Sequence, residues 1–196
     1  MKTIITGFIA IIFSTTSLAQ KPYNNYIIDY QKSYVKNHEV ISKREDKKRF
    51  SFFAPDVSYK VETRVAFIND SIGFMMPTSG SKPKKFYRYA LLRFSLKGKA
   101  LQLTVYRSDA LQSDTAYKDY VFLPFTDATS GEQSYGGGRY LDLDTKDIVN
   151  HTLIIDFNKA YNPYCAYAKG YNCPIPPREN DLPIAIEAGE MNFLDN

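Results

Sequence analysis

Short segments in which apolar and polar residues alternate recur along the chain and limit it to a β-rich fold. In the clearest of them, residues 60–67, Val61, Thr63 and Val65 share one face of a strand. Further strands are predicted at 72–76, 86–96, 100–107, 120–125, 139–143, 152–157 and 182–187. The connections are rich in Gly, Pro and Asn and lack the helices that parallel βαβ units require. The sequence therefore predicts a mainly β fold, either an antiparallel sandwich or an open barrel.

One amphipathic helix is predicted ahead of the strands. Apolar and aromatic residues recur at steps of three and four, which places them on one helical face: Tyr23, Ile27, Tyr30, Tyr34, His38 and Ile41. Charged residues occupy the opposite face. Asn24 or Asn25 is predicted to cap the N-terminus of this helix.

Residues 1–19 match a secretory signal peptide. A basic residue precedes an apolar run over 4–13, and Ser17 and Ala19 have the small side chains of a cleavage site. The run is about ten residues, whereas a helix that crosses a bilayer needs about twenty. We therefore expect an exported protein, periplasmic or secreted, in which residues 20–196 form a single β-rich, soluble domain without a membrane span.

The charge is distributed unevenly along the mature chain. Residues 20–110 hold 18 Lys and Arg against 8 Asp and Glu, while residues 111–196 hold 6 against 13. The two halves are expected to neutralise one another where they pack, or else the acidic half lines a site for a cationic group. Nucleic acid is not expected as a partner, because the basic residues are scattered apart from those at 43–49.

The two cysteines, Cys165 and Cys173, are expected to form a disulfide in an oxidising compartment. Closing this short loop would contribute about 2.5 kcal/mol through the entropy of the unfolded chain. The rival interpretation is a zinc pair, which the wide spacing and the small number of histidines disfavour.

The segment 125–140 is the first candidate for a functional site. Three glycines at 136–138 could present N–H groups to an anion or could simply form a tight turn. Arg139 could bind an anionic ligand or pair with Asp127, and Tyr135 could provide a further polar contact.

The loop that follows the strand at 152–157 is the second candidate. Asn158, Asn162 and Asn180 could contact a ligand, or they could bond to the backbone of this Pro-rich loop and hold it in place. The sixteen tyrosines could offer stacking faces to sugars, although most are expected to be packing residues.

Three acidic residues are candidates for catalysis. Asp127, Asp156 and Glu190 could converge in space and act as general acid and base, or could hold a divalent cation. No cofactor is evident from the sequence, and the chain lacks the Gly-x-Ser-x-Gly motif of a nucleophile elbow.

Several motifs in the C-terminal half resemble a known family. They are Pro124 to Gly131 with Tyr135 to Leu141, Asp156 to Pro163 with Cys165-Ala166, and Cys173 to Pro177 with Glu179-Asn180, Leu182-Pro183 and Ala188-Gly189-Glu190. Together they resemble the uncharacterised bacterial and archaeal domain of unknown function numbered 1684. The resemblance implies a location for a site and no assigned activity. Family members without a signal peptide carry similar cysteines, which implies a structural or ligand role for the thiols.

Three hypotheses follow from these observations. The first is a module of the cell envelope that binds a small polar ligand or glycan in a pocket of the C-terminal loops, with Tyr135, Arg139 and Asn158 as contacts. The second is a hydrolase or lyase that uses paired carboxylates, with or without a divalent cation. The third is a structural scaffold without a pocket.

Overall fold

The computed structural model describes residues 16–193, with side chains from residue 21 onward. Residues 1–15, which hold most of the predicted signal peptide, lie outside the described residues. No helix within the described range is both long enough and apolar enough to cross a bilayer.

A single eight-stranded sheet, curled into a half-barrel, follows one N-terminal helix. The helix is α1 (Thr16–Lys36), and the strands are β1 (Lys60–Phe67), β2 (Phe74–Met76), β3 (Lys84–Leu96), β4 (Lys99–Ser108), β5 (Tyr120–Asp127), β6 (Arg139–Asp144), β7 (Thr152–Asp156) and β8 (Asp181–Leu182). The main path through the sheet is β6-β5-β4-β3-β1-β7. Of the two predicted architectures, the open barrel is therefore the one that forms.

The local sequence explains the regular part of the sheet. Along β1, buried and exposed residues alternate as the period of two requires, and Thr63 is buried together with its apolar neighbours. Strands β3 and β4 form a long hairpin, whose turn uses positive φ at both Lys97 and Gly98. This conformation matches the twist of the paired strands, and a glycine adopts it without strain.

Two sequence predictions are wrong in detail. The described part of helix α1 already includes Thr16, so neither Asn24 nor Asn25 caps its N-terminus, and both lie inside the helix. The predicted strand at 182–187 is reduced to β8, a two-residue strand that runs parallel to β5. The residues that follow β8 are held by buried side chains, described below, together with separate backbone hydrogen bonds such as that from the Ala128 N–H to the Ile184 carbonyl.

Helix α1 is fastened along the open side of the half-barrel. Ile27 is fully buried, and the Tyr23 hydroxyl donates to both carboxylate oxygens of Asp156 at 2.8 and 2.9 Å. Lys159 donates to the Tyr26 hydroxyl at 2.7 Å. These contacts leave the C-terminal half of α1 facing the long loop between β7 and β8.

Two clusters of buried apolar side chains form the core. The larger fills the half-barrel beneath β1, β3, β4 and β5. The smaller is mostly aromatic and contains Met76, Phe86, Tyr106, Phe122 and Tyr140. Phe122 and Tyr140 pack edge to face, with ring centroids 4.7 Å apart. Tyr140 of this second cluster also lines the cleft described next.

Candidate functional site

Arg139, predicted to contact an anion, is a fully buried residue of β6 that holds the C-terminal segment against the sheet. Its Nη2 donates to Asp127 Oδ2 and to the Ile186 carbonyl, both at 2.8 Å. Its Nη1 donates to the carbonyls of Ala188 and Glu190 at 2.5 and 3.2 Å. The guanidinium therefore binds three backbone carbonyls between residues 186 and 190, and it is not open to a ligand.

Asp127 completes this buried network. Its Oδ1 accepts the N–H groups of Thr129 at 2.8 Å and Ile186 at 3.1 Å, in addition to the ion pair through Oδ2. The sequence allows Asp127 either a catalytic role or a pair with Arg139, and in the structure it forms that pair.

The glycine run before Arg139 forms a tight turn. The Gly138 N–H donates to the Tyr135 carbonyl at 3.0 Å, and Gly138 has a φ of +84°. A Cβ atom at Gly138 would come within 2.6 Å of both the Phe125 carbonyl and the Pro176 ring. The turn therefore allows the Pro-rich loop to lie directly on the sheet. Tyr135 is half-buried at this turn.

Asn158 fixes the start of the long loop. Its Oδ1 accepts the Asp56 N–H at 2.9 Å, and its Nδ2 donates to the Asp56 carbonyl at 2.8 Å and to Asp156 Oδ1 at 3.0 Å. The side chain is 1% exposed. Asp156 thus links this loop to Tyr23 of α1, and its carboxylate is occupied by structural contacts.

Asn180 fixes the other end of the loop. The Thr104 N–H donates to its Oδ1 at 2.7 Å, and its Nδ2 donates to the carbonyls of Thr104 and Pro124 at 2.8 and 2.7 Å. Between β4 and β5 the strand pairing is confined to Tyr106 and Phe122. The buried amide therefore bridges the two strands where Pro124 has no N–H to donate.

Glu190 is buried beneath the contact between α1 and the long loop. It accepts the Asn162 N–H at 2.9 Å, the Tyr167 hydroxyl at 2.7 Å and the Tyr34 hydroxyl at 3.3 Å. Burial raises the pKa of Glu190 to about 7, although these hydrogen bonds oppose the shift. Asn162 is fully buried and donates to the Met191 carbonyl at 2.8 Å.

Glu190 is expected to make the stability of the protein depend on pH. Between about pH 4.5 and 7 the folded protein retains a proton that the unfolded chain has released. The free energy of unfolding should therefore fall as the pH rises through this window, by about 3 kcal/mol from this group. Urea denaturation of the wild type and Glu190→Gln at pH 4.5 and 8 measures this, because the glutamine cannot ionise. If the free energies of unfolding of the wild type and Glu190→Gln change equally between pH 4.5 and 8, the account of Glu190 as a buried carboxyl is contradicted. Glu132→Gln, a substitution at an exposed residue, is the matched control.

The carboxylates of the three acids predicted for catalysis thus have different side-chain partners. Asp127 pairs with Arg139, Asp156 with Tyr23, and Glu190 with the tyrosines above it. Within the described residues, no group of three or more His, Cys, Asp or Glu is arranged to hold a metal ion.

A cleft of about 660 Å³ opens beside Glu190, between the C-terminal half of α1 and the long loop. Six of the described tyrosines contribute to its walls and floor: Tyr30, Tyr34, Tyr140, Tyr161, Tyr164 and Tyr171. Two carboxylates, Glu39 and Asp142, also line it. Of the site residues predicted from the sequence, Cys173 lies in its wall, and the others are absent from the lining.

The disulfide between Cys165 and Cys173 shapes the loop side of this cleft. The loop is also tied to residue 79, because the Cys173 N–H donates to Ser79 Oγ at 3.0 Å and the Ser79 N–H donates to the Cys173 carbonyl at 2.8 Å. The wall that carries Tyr164 and Tyr171 is thereby fixed at both of its ends.

Sequence reasoning missed the cleft tyrosines as a group, although two signals pointed to them. Tyr30, Tyr34 and His38 share the apolar stripe of the predicted helix, and the chain has sixteen tyrosines and no tryptophan. Asp142 of β6 is exposed, and it accepts the hydroxyls of Tyr120 and Tyr161 at 2.7 and 2.8 Å.

A curled antiparallel half-barrel with one helix across its open side defines the structural class of this protein. The family described as "Protein of unknown function (DUF1684)" matches residues 46–191, and the chain belongs to that family. The match confirms the resemblance and extends it beyond the C-terminal half.

One solved structure is similar over nearly the whole chain. It is the solution NMR structure of an uncharacterised protein of Haloarcula marismortui, which is 30% identical with a TM-score of 0.67. The alignment covers 92% of the present chain and 100% of the archaeal one. No functionally curated protein matches.

Proposed function

We propose that this protein binds a small polar ligand in the tyrosine-lined cleft between α1 and the disulfide-containing loop. The observation that carries this proposal is a cleft of about 660 Å³, within the range of about 300–1,000 Å³ that is usual for small-molecule sites. Aromatic walls with a few carboxylates at the rim are the composition that such sites use.

Binding is favoured over catalysis by the placement of the acids. Glu190 has a pKa suited to proton transfer, but it is fully buried behind Tyr34 and Tyr167. Asp127 and Asp156 are held by structural partners and are absent from the cleft lining. The family motifs therefore support the cleft by fastening its loops.

We also propose that the protein acts outside the cytoplasm, in the periplasm or as a secreted protein. The signal-like sequence of residues 1–19 supports this, and so does the disulfide, because such bonds persist mainly in oxidising compartments. Fractionation of the native host with an antibody against the protein would test this localisation.

Tyr171→Ala is expected to abolish ligand binding without unfolding the protein. Tyr171 is 40% exposed and lies in the cleft wall, whereas Tyr117 is 45% exposed and is absent from the lining. Each ring packs against one other tyrosine, with centroids 5.2 and 6.0 Å apart. Tyr117→Ala is therefore a matched control.

The measurement is a thermal-shift screen of sugars, polyols, amino acids and amines against the wild type and both variants. A compound at a hundred times its Kd should stabilise the wild type by about 2.7 kcal/mol. The proposal requires a shift that Tyr117→Ala keeps and Tyr171→Ala loses. Shifts that survive in both variants, or no shift with any compound, would contradict it.

A further inference from the structure

The two carboxylates of the cleft, Glu39 and Asp142, are available to a positively charged group. Within residues 21–193 neither has a Lys or Arg nitrogen within 4.0 Å. Lys84 is the lysine in the lining, and the buried His38 is neutral because burial lowers its pKa. The lining therefore carries a net charge of about −1 at neutral pH.

Most hydroxyl groups of the cleft tyrosines are already engaged in hydrogen bonds within the protein. Four of the six cleft hydroxyls already donate within the protein: Tyr161 to Asp142 and Tyr164 to Glu39 at 2.8 Å each, Tyr34 to Glu190, and Tyr140 to the Pro174 carbonyl. A sugar needs polar partners in the walls, and most of these are occupied. A cation is attracted by the faces of the rings, with the carboxylates adding to that attraction.

A second pocket of about 360 Å³ adjoins the cleft and shares Lys84, Tyr140, Tyr161 and Pro174 with it. The rest of its lining is mainly apolar and includes Phe86, Phe122 and Leu111. The combined site is therefore charged and aromatic at one end and apolar at the other.

We infer that the cleft recognises an organic ammonium cation that carries an apolar substituent. The ammonium group lies among the tyrosine faces near Asp142 and Glu39, and the apolar substituent enters the second pocket beside Phe86 and Phe122. This inference rests on the proposed function and specifies the chemistry of its ligand.

Four probes separate charge from shape in calorimetric titrations of the full mature chain. They are hexyltrimethylammonium, choline, the neutral choline isostere 3,3-dimethyl-1-butanol, and glucose. Hexyltrimethylammonium should bind most tightly and choline less tightly, because choline lacks the apolar chain. The isostere should bind at least about fivefold more weakly than choline, since it lacks a charge worth about 1 kcal/mol.

Asp142→Asn tests the charge inside the cleft. The asparagine oxygen can still accept the hydroxyls of Tyr120 and Tyr161, so the walls should persist. We expect hexyltrimethylammonium to bind about fivefold more weakly to this variant. Asp147→Asn removes the same charge from an exposed residue outside both pockets, and it should leave the affinity unchanged.

The outcomes separate this inference from the proposal beneath it. Suppose that glucose or the neutral isostere binds as tightly as choline and that Tyr171→Ala abolishes this binding. The preference for a cation is then refuted, whereas ligand binding in the cleft is supported. If hexyltrimethylammonium binds equally to Asp142→Asn and the wild type, the role of the carboxylate is overturned. If none of the four probes binds, the inference fails, and the wider thermal-shift screen decides the proposed function separately.

Discussion

Replacing Asp127 with asparagine is expected to destabilise the protein by about 3–5 kcal/mol, the largest effect we predict for a single substitution. The change leaves the fully buried guanidinium of Arg139 without its counter-ion. The amide oxygen can still accept the N–H groups of Thr129 and Ile186, but the neutral side chain cannot balance a charge that is removed from water. Chemical denaturation of the purified protein at pH 7 measures the loss.

The control is Asp29→Asn. Asp29 forms an ion pair with Lys32, and the side chains of the two residues are 75% and 71% exposed. It should change stability by less than about 0.5 kcal/mol. The double variant Asp127→Asn/Arg139→Met should lose less stability than the two single variants together, because it leaves no buried charge. Strict additivity would contradict the assignment of Asp127 and Arg139 as a coupled pair.

Asn180→Ala is expected to cost about 4 kcal/mol, since it leaves three buried backbone groups without partners at roughly 1–3 kcal/mol each. These groups are the N–H and carbonyl of Thr104 and the carbonyl of Pro124. The loss should loosen β4 from β5, so hydrogen exchange at Thr104 should accelerate.

Asn180→Asp separates hydrogen bonding from side-chain volume. An aspartate has nearly the same size but cannot donate to the two carbonyls, so it should be as harmful as alanine or worse. Exposed Asn69→Ala is the control and should have little effect. An aspartate variant as stable as the wild type would contradict the bridging role of Asn180.

The strands could be predicted because each carries a local signal. In β1 the alternation of buried and exposed residues fixes both the strand and its inner face, and the Lys97-Gly98 turn specifies the hairpin. The last predicted strand failed for a tertiary reason. Residues 184 and 186 are apolar and buried as a strand would place them, but the carbonyl and N–H of Ile186 bond to the side chains of Arg139 and Asp127.

Some residues of the family motifs line the cleft, among them Tyr140, Tyr161 and Cys173, but most polar motif residues are buried. Polar residues such as Asn158 and Asn180 satisfy buried backbone groups, and sequence alone could not distinguish that role from ligand contact. The cleft itself could not be predicted, because its two sides, α1 and the disulfide-containing loop, are about 130 residues apart in the chain. The hydroxyls of Tyr34 and Tyr167, which form a hydrogen bond across this contact, are an example.

We propose that the ligand binds in the tyrosine-lined cleft and that the buried motif residues hold the loops around this cleft in place. The most direct measurement is an NMR titration of the ¹⁵N-labelled chain of residues 20–196 with hexyltrimethylammonium. We predict saturable shifts in the backbone amides of residues 30–39 and 161–174, with those of 127–131 little changed. Saturable shifts centred on Asp127 and Arg139, or no saturable shift anywhere, would contradict the claim.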